Sequence, residues 1–265
     1  MAGNIHPTAI VHDGAQIGAD VEIGPYCIIG ERVKLGARVK LVAHVCLDGD
    51  TTIGADSTLY PFVSMGYPPQ DFKHKGGAVS IEIGERCTFR ENVNIHPGSD
   101  AGEPVTRIGN DCYFMVGTHL AHEGQMGDHV VVSNGAQIGG NVKIGNHVTL
   151  GGLCAIHQHT RIGDHAFIGG MATVTKDVIP YGFVVGNAAH LVGLNVVGLK
   201  RRGFSKDAIK ELRAAYRLLF AQEGTFVERL DDATRVYGDH ELVMDIVEFI
   251  KAQENRHICM PDQGR

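Results

Sequence analysis

The chain has 265 residues, of which 43% are hydrophobic and 20% charged, and its net charge is −6. This mixture excludes wholesale disorder and general nucleic-acid binding, and it suits one large domain with a small appendage. Residues 1–10 lack the apolar run of a signal peptide, and no apolar stretch is long enough to predict membrane insertion. Six cysteines without metal-ligand spacing predict free thiols in a reducing, cytoplasmic compartment.

A six-residue repeat runs through most of the chain. Every sixth residue is apolar across residues 5–65, 83–95 and 108–174, a total of 26 positions. In the first and third of these runs, the residue four places further on is small or β-branched. Three hexads make one triangular coil of short strands, so the repeat predicts a prism of between eight and nine stacked parallel coils. Four cysteines occupy the small inward position and should be buried: Cys27, Cys87, Cys112 and Cys154.

Two loops interrupt the repeat. Residues 66–78 carry glycines, prolines and charges in place of a hexad, and the phase slips by one residue across 97–107. Long loops on a rigid repeat are candidate functional elements. We therefore predict a mostly β chain, with a parallel β-helix over residues 1–190 and two protruding loops, 66–78 and 97–107.

A small α-helical domain is predicted over residues 191–265. The stretch 180–200 has no regular pattern. Beyond it, Ser205 can cap a helix, a Thr-x-x-Glu capping box at residues 225–228 begins a second, and residues 241–252 form a third.

The repeat also predicts which polar residues share a face. With both loops set aside, the hexads that begin at Ile95, Leu120, Ile138 and Ile156 stack in one column, which carries His96, His122, Asn141 and His157. Asp71 and Lys73 lie on the loop that interrupts this face. Because imidazole accepts a proton near neutral pH, histidines beneath a carboxylate and an amine predict an active site.

Other chemistries find little support. The sequence contains no phosphate-binding glycine loop, no HExxH zinc motif and no GxSxG nucleophile elbow. Histidine spacing does not predict a zinc site either. We therefore expect neither a metal nor a cofactor.

The hexads resemble those of the left-handed β-helix acyltransferases. The left hand follows from this resemblance alone, since parallel crossovers are otherwise right-handed. Within that family the chain resembles the UDP-N-acetylglucosamine O-acyltransferases of lipid A biosynthesis over essentially its whole length. The segments that carry the resemblance are IHPTAIV, QDFKHKG, RENVNIHPG, THLAHE, GGMATVTKDVIPYGFVVGNAA and GLNVVGLKRRGFS. The resemblance implies transfer of an (R)-3-hydroxyacyl chain from acyl carrier protein to the 3-hydroxyl of UDP-N-acetylglucosamine, the first step of lipid A biosynthesis.

The same resemblance implies roles for individual residues. His122 would be the general base, Glu123 would orient it, and the Gly140 N–H would stabilise the oxyanion. Gly170 lies where the family sets acyl-chain length, and glycine leaves room for a longer chain. The implied substrate contacts are Asp71, Lys73, His96, His119, His157, Gln158, Asn195 and Arg201.

Three residues depart from the family pattern. Glu123 stands where the family usually has aspartate, Asn141 where it often has histidine, and Val197 where it often has an acidic residue. The densest basic cluster, Lys200–Arg202, is a candidate contact for the anionic substrate or for the acidic carrier protein. Long flat prism faces, together with the resemblance, predict a homotrimer with its sites in the clefts between subunits.

Two alternatives remain open at this point. The first is another hexapeptide-repeat transferase, either the N-acyltransferase acting later in the same pathway or a coenzyme A-dependent acetyltransferase. The N-acyltransferases carry a uridine-binding domain before their hexads, whereas the hexads here begin at residue 5. The second is a non-catalytic β-helix scaffold, which has no reason to stack histidines beneath a charged loop.

Overall fold

Short parallel strands follow one another every six residues, as the repeat predicts. The computed structural model describes residues 4–100, 102–252 and 257–262. Most of the strands are two residues long; the second residue is apolar and points into the core, and the first faces outward. Three such strands make one coil of a left-handed parallel β-helix, and the stacked coils form three sheets, named A, B and C, on the faces of a prism.

The three sheets contain the following strands in stacking order. Sheet A contains Asn4–Ile5, Glu22–Ile23, Lys40–Leu41, Thr58–Leu59, Thr88–Phe89, Tyr113–Phe114, Val131–Val132, Thr149–Leu150, Phe167–Ile168, Gly182–Val185 and His190–Leu194. Sheet B contains Ile10–Val11, Ile28–Ile29, Cys46–Leu47, Ser64–Met65, Asn94–Ile95, His119–Leu120, Gln137–Ile138, Ala155–Ile156 and Thr173–Val174. Sheet C contains Gln16–Ile17, Lys34–Leu35, Asp50–Ile53, Ser80–Ile83, Val105–Ile108, Gln125–Met126, Lys143–Ile144 and Arg161–Ile162.

The predicted column is confirmed by the strand register. Leu120 pairs with Ile95 on one side and with Ile138 on the other, and Ile138 pairs with Ile156. All four belong to sheet B. Both loops leave sheet B and return to sheet C, so they extend from the corner between these sheets, named corner BC. The corners between sheets C and A and between sheets A and B are named corner CA and corner AB.

Left-handed backbone conformations turn the chain at the corners. At corners CA and AB a residue with φ between about +50° and +70° recurs in nearly every coil, and at corner BC three non-glycine residues share this conformation, Glu123, Asn141 and His159. Their side chains therefore stack in ladders. At corner CA, for example, the Arg38 guanidinium lies 2.6 Å from Asp56, and the His129 and His147 rings stack 4.6 Å apart.

Aliphatic side chains fill the prism. Phe89 and Phe114 are fully buried and stack with their ring centroids 4.9 Å apart. The four cysteines predicted to be inward are buried, as expected. Ile5 is 43% exposed because its coil is at the open N-terminal end of the prism.

The C-terminal region contains four helices: α1 (Val196–Arg201), α2 (Lys206–Leu219), α3 (Phe226–Tyr237) and α4 (Glu241–Lys251). Ser205 caps α2 and the capping box begins α3, as predicted. The expectation of an irregular stretch at 180–200 is wrong. Its strands extend sheet A, first parallel and then antiparallel, and α1 follows. Among the described residues, no helix has both the length and the apolar surface needed to cross a membrane.

Candidate active site

His122 and Glu123 lie at corner BC, directly after the strand His119–Leu120. The next coil fixes their backbone, because the Asn141 N–H donates to the His122 carbonyl at 2.9 Å. Gly140 therefore stands one coil from His122. A Cβ atom on Gly140 would lie 2.5 Å from Cε1 and 2.7 Å from Nε2 of the imidazole. Only glycine lets the ring pack directly against this backbone.

The carboxylate of Glu123 orients the imidazole of His122. Oε1 of Glu123 lies 3.4 Å from Nδ1 of His122, so the ring donates through Nδ1–H and keeps the lone pair on Nε2. The Glu123 side chain is 7% exposed and that of His122 is 19% exposed. The imidazole thus keeps some contact with solvent, while its orienting partner is shielded. A neutral imidazole in this tautomer can accept a proton at Nε2 and so serve as a general base.

His96 is buried beside this pair and is neutral at physiological pH. Burial, with further effects of the nearby His119 and His122, lowers the pKa of His96 to about 4. The backbone N–H of Gln70 donates to Nδ1 of His96 at 3.3 Å. Nε2 of His96 therefore carries the hydrogen and can donate it to a substrate oxygen.

His119 has a fixed tautomer as well. Its Nδ1 lies 2.8 Å from Oδ1 of Asn94, whose amide nitrogen donates to the Ser64 carbonyl. The amide is thereby oriented, so Nδ1 of His119 must be the donor. Burial lowers the pKa of His119, and its ring meets that of His96 edge-on with centroids 4.9 Å apart. Two neutral imidazoles thus lie next to the proposed base.

The first loop brings Asp71 to the same point. A carboxylate oxygen of Asp71, a ring nitrogen of His122 and a carboxylate oxygen of Glu123 all lie within 4.8 Å of one another. The repeat predicted that this loop lies over the histidine column, whereas the close approach of the Asp71 carboxylate to His122 and Glu123 depends on how the loop folds back. Lys73 is exposed on the same loop, and its backbone N–H donates to the Asp71 carboxylate at 2.9 Å.

The second loop holds the first in place. Asp100 accepts hydrogen bonds from the backbone N–H groups of Lys75 and Gly77 at 3.1 and 3.0 Å, and its carboxylate lies 3.0 Å from Nδ1 of His74. Further along the column, His157 and Gln158 are exposed, and Nδ1 of His157 lies 3.0 Å from the Gln158 carbonyl.

The remaining predicted residues lie at other corners. Asn195 caps α1 by accepting from the Gly198 N–H at 3.0 Å, and it donates to the His165 carbonyl of corner CA at 2.9 Å. With Arg201 it lines a cavity of about 510 Å³. Gly170 is exposed at corner AB. Within one chain, the predicted site residues therefore lie at three different corners of the prism.

Sequence reasoning missed a buried contact of this site and a basic stripe on α2. Ser99 lies on the second loop, 97–107, where the hexad phase slips, so the repeat did not predict the position of its side chain. It is fully buried, yet its hydroxyl contacts Glu123. The cations of α2 were also missed, although their spacing of four, three and four residues could have revealed a basic stripe. They are Lys206, Lys210, Arg213 and Arg217, which line one groove with Lys200.

Family models match both the β-helix and the C-terminal region. A family model described as "Udp N-acetylglucosamine O-acyltransferase; Domain 2" matches residues 177–259, and a model of bacterial transferase hexapeptide repeats matches 4–37, 14–49 and 141–176. Relatives named acyl-[acyl-carrier-protein]–UDP-N-acetylglucosamine O-acyltransferase include one from Caulobacter vibrioides, 58% identical over 79% of this chain and 80% of the relative. Another, from Azorhizobium caulinodans, is 48% identical over 98% of this chain and 96% of the relative.

Solved structures extend the comparison to three dimensions. The UDP-N-acetylglucosamine acyltransferase of Francisella novicida superposes with a TM-score of 0.93 at 32% identity, covering 98% of this chain and 95% of its own. The UDP-N-acetylglucosamine O-acyltransferase of Moraxella catarrhalis superposes with a TM-score of 0.92 at 39% identity, covering 96% of this chain and 98% of its own. Neither open alternative is favoured by these relatives. The chain belongs to the acyl-[acyl-carrier-protein]–UDP-N-acetylglucosamine O-acyltransferase family of left-handed β-helix acyltransferases.

Proposed function

We propose that this acyltransferase moves an (R)-3-hydroxyacyl chain from acyl carrier protein to the 3-hydroxyl of UDP-N-acetylglucosamine, the first step of lipid A biosynthesis, with His122 as general base. The observation that carries this assignment is the orientation of the His122 ring. Its Nδ1 faces the Glu123 carboxylate, and its Nε2 lies against the Gly140 backbone. All six cysteines are free thiols, which suits a cytoplasmic enzyme.

The proposed reaction begins with proton transfer to His122. Nε2 accepts the proton of the sugar hydroxyl while the oxygen attacks the thioester carbonyl of the acyl donor. The Gly140 N–H, which donates to no acceptor among the described residues, stabilises the tetrahedral oxyanion. One such donor contributes about 3 kcal/mol in comparable acyl transfers. The intermediate then expels the carrier thiolate, and the imidazolium returns the proton to that sulfur.

The neutral imidazoles beside the base can donate hydrogen bonds to uncharged sugar and acyl groups. His96 donates through Nε2–H, and its lowered pKa keeps it from competing for the sugar proton at neutral pH. In the proposal, His96, His119 and Asp71 bind the sugar and acyl groups. Lys73 and His157 extend these contacts toward the phosphates, and both are exposed at the same corner.

A homotrimer would complete the site. Corner BC, with His122, is opposite sheet A in the prism, whereas Asn195 and Arg201 lie beside corner CA, and Gly170 at corner AB. No single chain can bring these corners together around one substrate. Packing the prisms about a three-fold axis would place His122 of one subunit opposite Asn195 and Arg201 of a neighbour. In this arrangement Gln158, Asn195 and Arg201 hold the uridine diphosphate.

The basic groove on α1 and α2 is the proposed contact for the acidic carrier protein. Five cations line it in a chain whose net charge is −6, so the positive charge is concentrated where an acidic partner would approach. Opposite potentials of this kind accelerate association. Replacing both Lys210 and Arg213 by glutamate should raise the KM for the acyl carrier substrate while leaving the KM for the nucleotide sugar unchanged. Arg235→Glu, at an exposed position on α3 outside the groove, is the control, and it should leave both KM values unchanged.

His122→Ala tests the proposed chemistry. It should lower kcat by about 10²–10⁴, the usual range for a lost general base. The side chain is partly exposed and points away from the core, so the thermal midpoint should hardly change. The assay is mass-spectrometric detection of the O-acylated UDP sugar made from hydroxyacyl carrier protein. His129→Ala, at corner CA, is the histidine control. A folded His122→Ala variant with nearly normal kcat would exclude His122 as the base.

A further inference from the structure

We propose that Ser99, Gly102 and Asn141 are positioning residues, forming a cradle that holds the Glu123 carboxylate against His122. This inference rests on the proposed function, because it assumes that His122 is the base. None of the three was predicted to contact Glu123. They come from the second loop and from the next coil, and they meet at one side chain.

The backbone of Glu123 has almost no freedom to adjust. Its φ is +64°, in the left-handed region, and its N–H donates to Oγ1 of the buried Thr106 at 2.9 Å. The position of the carboxylate therefore depends on the length and rotamer of the side chain alone. Whatever contacts the carboxylate decides how well it orients the imidazole.

Both carboxylate oxygens accept hydrogen bonds within the cradle. Ser99 donates its hydroxyl to Oε1, the oxygen that also faces Nδ1 of His122. Asn141 donates its amide to Oε2 at 3.0 Å. A buried charge needs such donors, since little water reaches it. Together they hold the carboxylate plane in one orientation.

Gly102 makes room for a glutamate of this length. A Cβ atom at position 102 would lie 2.7 Å from both Oε1 and Oε2 and 2.8 Å from Cδ. The carboxylate thus occupies the volume that any side chain at 102 would take. An aspartate at position 123 would place its carboxylate one carbon–carbon bond, about 1.5 Å, further back. The shorter side chain would leave this volume empty and would move both carboxylate oxygens away from Asn141 and His122.

Asn141 couples the cradle to the base in a second way. Its backbone N–H donates to the His122 carbonyl at 2.9 Å, while its side chain holds Glu123. One residue thus fixes both partners of the pair. Glu123 and Asn141 are two of the three positions where the sequence departs from the family pattern, and the structure brings them into contact. We infer that the two changes compensate each other, together with the space at Gly102.

A double-mutant cycle between positions 102 and 123 tests the cradle. Gly102→Ala should lower kcat about 10²-fold, because its methyl group displaces the carboxylate by an ångström or so, while the KM for UDP-N-acetylglucosamine changes little. In a Glu123→Asp background the carboxylate is already retracted, so the same change should cost less than about threefold. Equal losses in both backgrounds would overturn the proposal.

A second test of the cradle replaces Asn141 by alanine. This change should lower kcat about tenfold in the wild-type background, and it should add no further loss in a Glu123→Ala background. Asn146→Ala is the matched control. The Asn146 amide also donates to a carboxylate of the next coil, that of Asp164 at 3.2 Å, but at corner CA. The control should lose thermal stability and keep its kcat. If the two asparagine variants behave alike, Asn141 has a structural role only.

His122→Ala, measured in the same assay, separates the two proposals. A large loss for His122→Ala, with the cradle variants unaffected, refutes the cradle and leaves the base assignment intact. Nearly normal activity of His122→Ala refutes the base assignment itself, and the cradle then has no reaction to serve.

Discussion

Replacing His165 by phenylalanine should make the protein less sensitive to acid. His165 stacks between His147 and Tyr181 at corner CA, with centroid distances of 4.8 and 5.6 Å, and Phe204 packs edge-on at 5.1 Å. Its Nδ1 is buried without a hydrogen-bond partner in the described part of the chain. Phenylalanine keeps a ring in the stack and has no nitrogen that requires a partner.

Burial and the neighbouring charges explain why His165 resists protonation. Burial, with further effects of the nearby His147 and Arg202, lowers its pKa to about 4. Asp164 and Asp245 act in the opposite direction and only partly offset these effects. His165 therefore stays neutral in the folded protein at pH values where it is charged in an unfolded chain.

The size of the effect follows from proton linkage. The unfolded chain binds a proton at His165 near pH 6.5, whereas the folded protein does so only near pH 4. Between these values the unfolded state binds more protons, so the free energy of unfolding falls as the pH falls. At pH 5 the loss attributable to this one group is about 2 kcal/mol. Solvent beside the half-buried ring reduces it to about 1–2 kcal/mol.

The assay compares thermal midpoints at pH 7.5 and pH 5 at one fixed protein concentration, because an oligomer's midpoint depends on concentration. Between the two pH values, His165→Phe should lose about 2–6 °C less than the wild type. His129→Phe, at the exposed end of the same stack, should keep the wild-type dependence. Equal losses for the wild type and His165→Phe would refute this reasoning.

Three further predictions concern metals, chain length and the core. Dialysis against EDTA should leave kcat unchanged, since the proposed proton transfer uses the His122 imidazole directly; loss of activity restored by one metal ion would contradict this. Gly170→Met should shift product chains toward shorter acyl groups in a competition among carrier substrates, because a methionine side chain would take space that glycine leaves open for the acyl chain. The position can hold a side chain, since the nearest atoms to a Cβ there are the oxygen and nitrogen of Gly152, at 3.4 and 4.0 Å. Phe114→Ala should destabilise the protein by about 3–5 kcal/mol in urea unfolding, because the ring is fully buried against Phe89; a change below about 1 kcal/mol would contradict that.

The sequence by itself determined the repeating architecture and which hexads lie on the same face of the prism. A hexad is a local pattern, and each coil pairs with the coil that follows it. Counting hexads, with the loop at 97–107 set aside, was therefore enough to align Leu120 with Ile95 and Ile138. The helix caps at Ser205 and Thr225 were predictable for the same reason, because each involves contacts three residues apart. The left hand came from resemblance, since the periodicity is the same for either hand.

Only the tertiary structure decided what converges on corner BC. Counting hexads placed the loop carrying Asp71 over the histidine column, but the loop itself has no period. Only the folded structure shows that its carboxylate lies within 4.8 Å of His122 and Glu123. Ser99 lies on the second loop, outside the hexads, so the repeat did not predict that its hydroxyl donates to Glu123. The stretch 180–200 had no pattern because its strands pair with sheet A and with each other under a different spacing. Contacts of this kind depend on the path of the folded backbone, whereas the hexads depend only on the next coil.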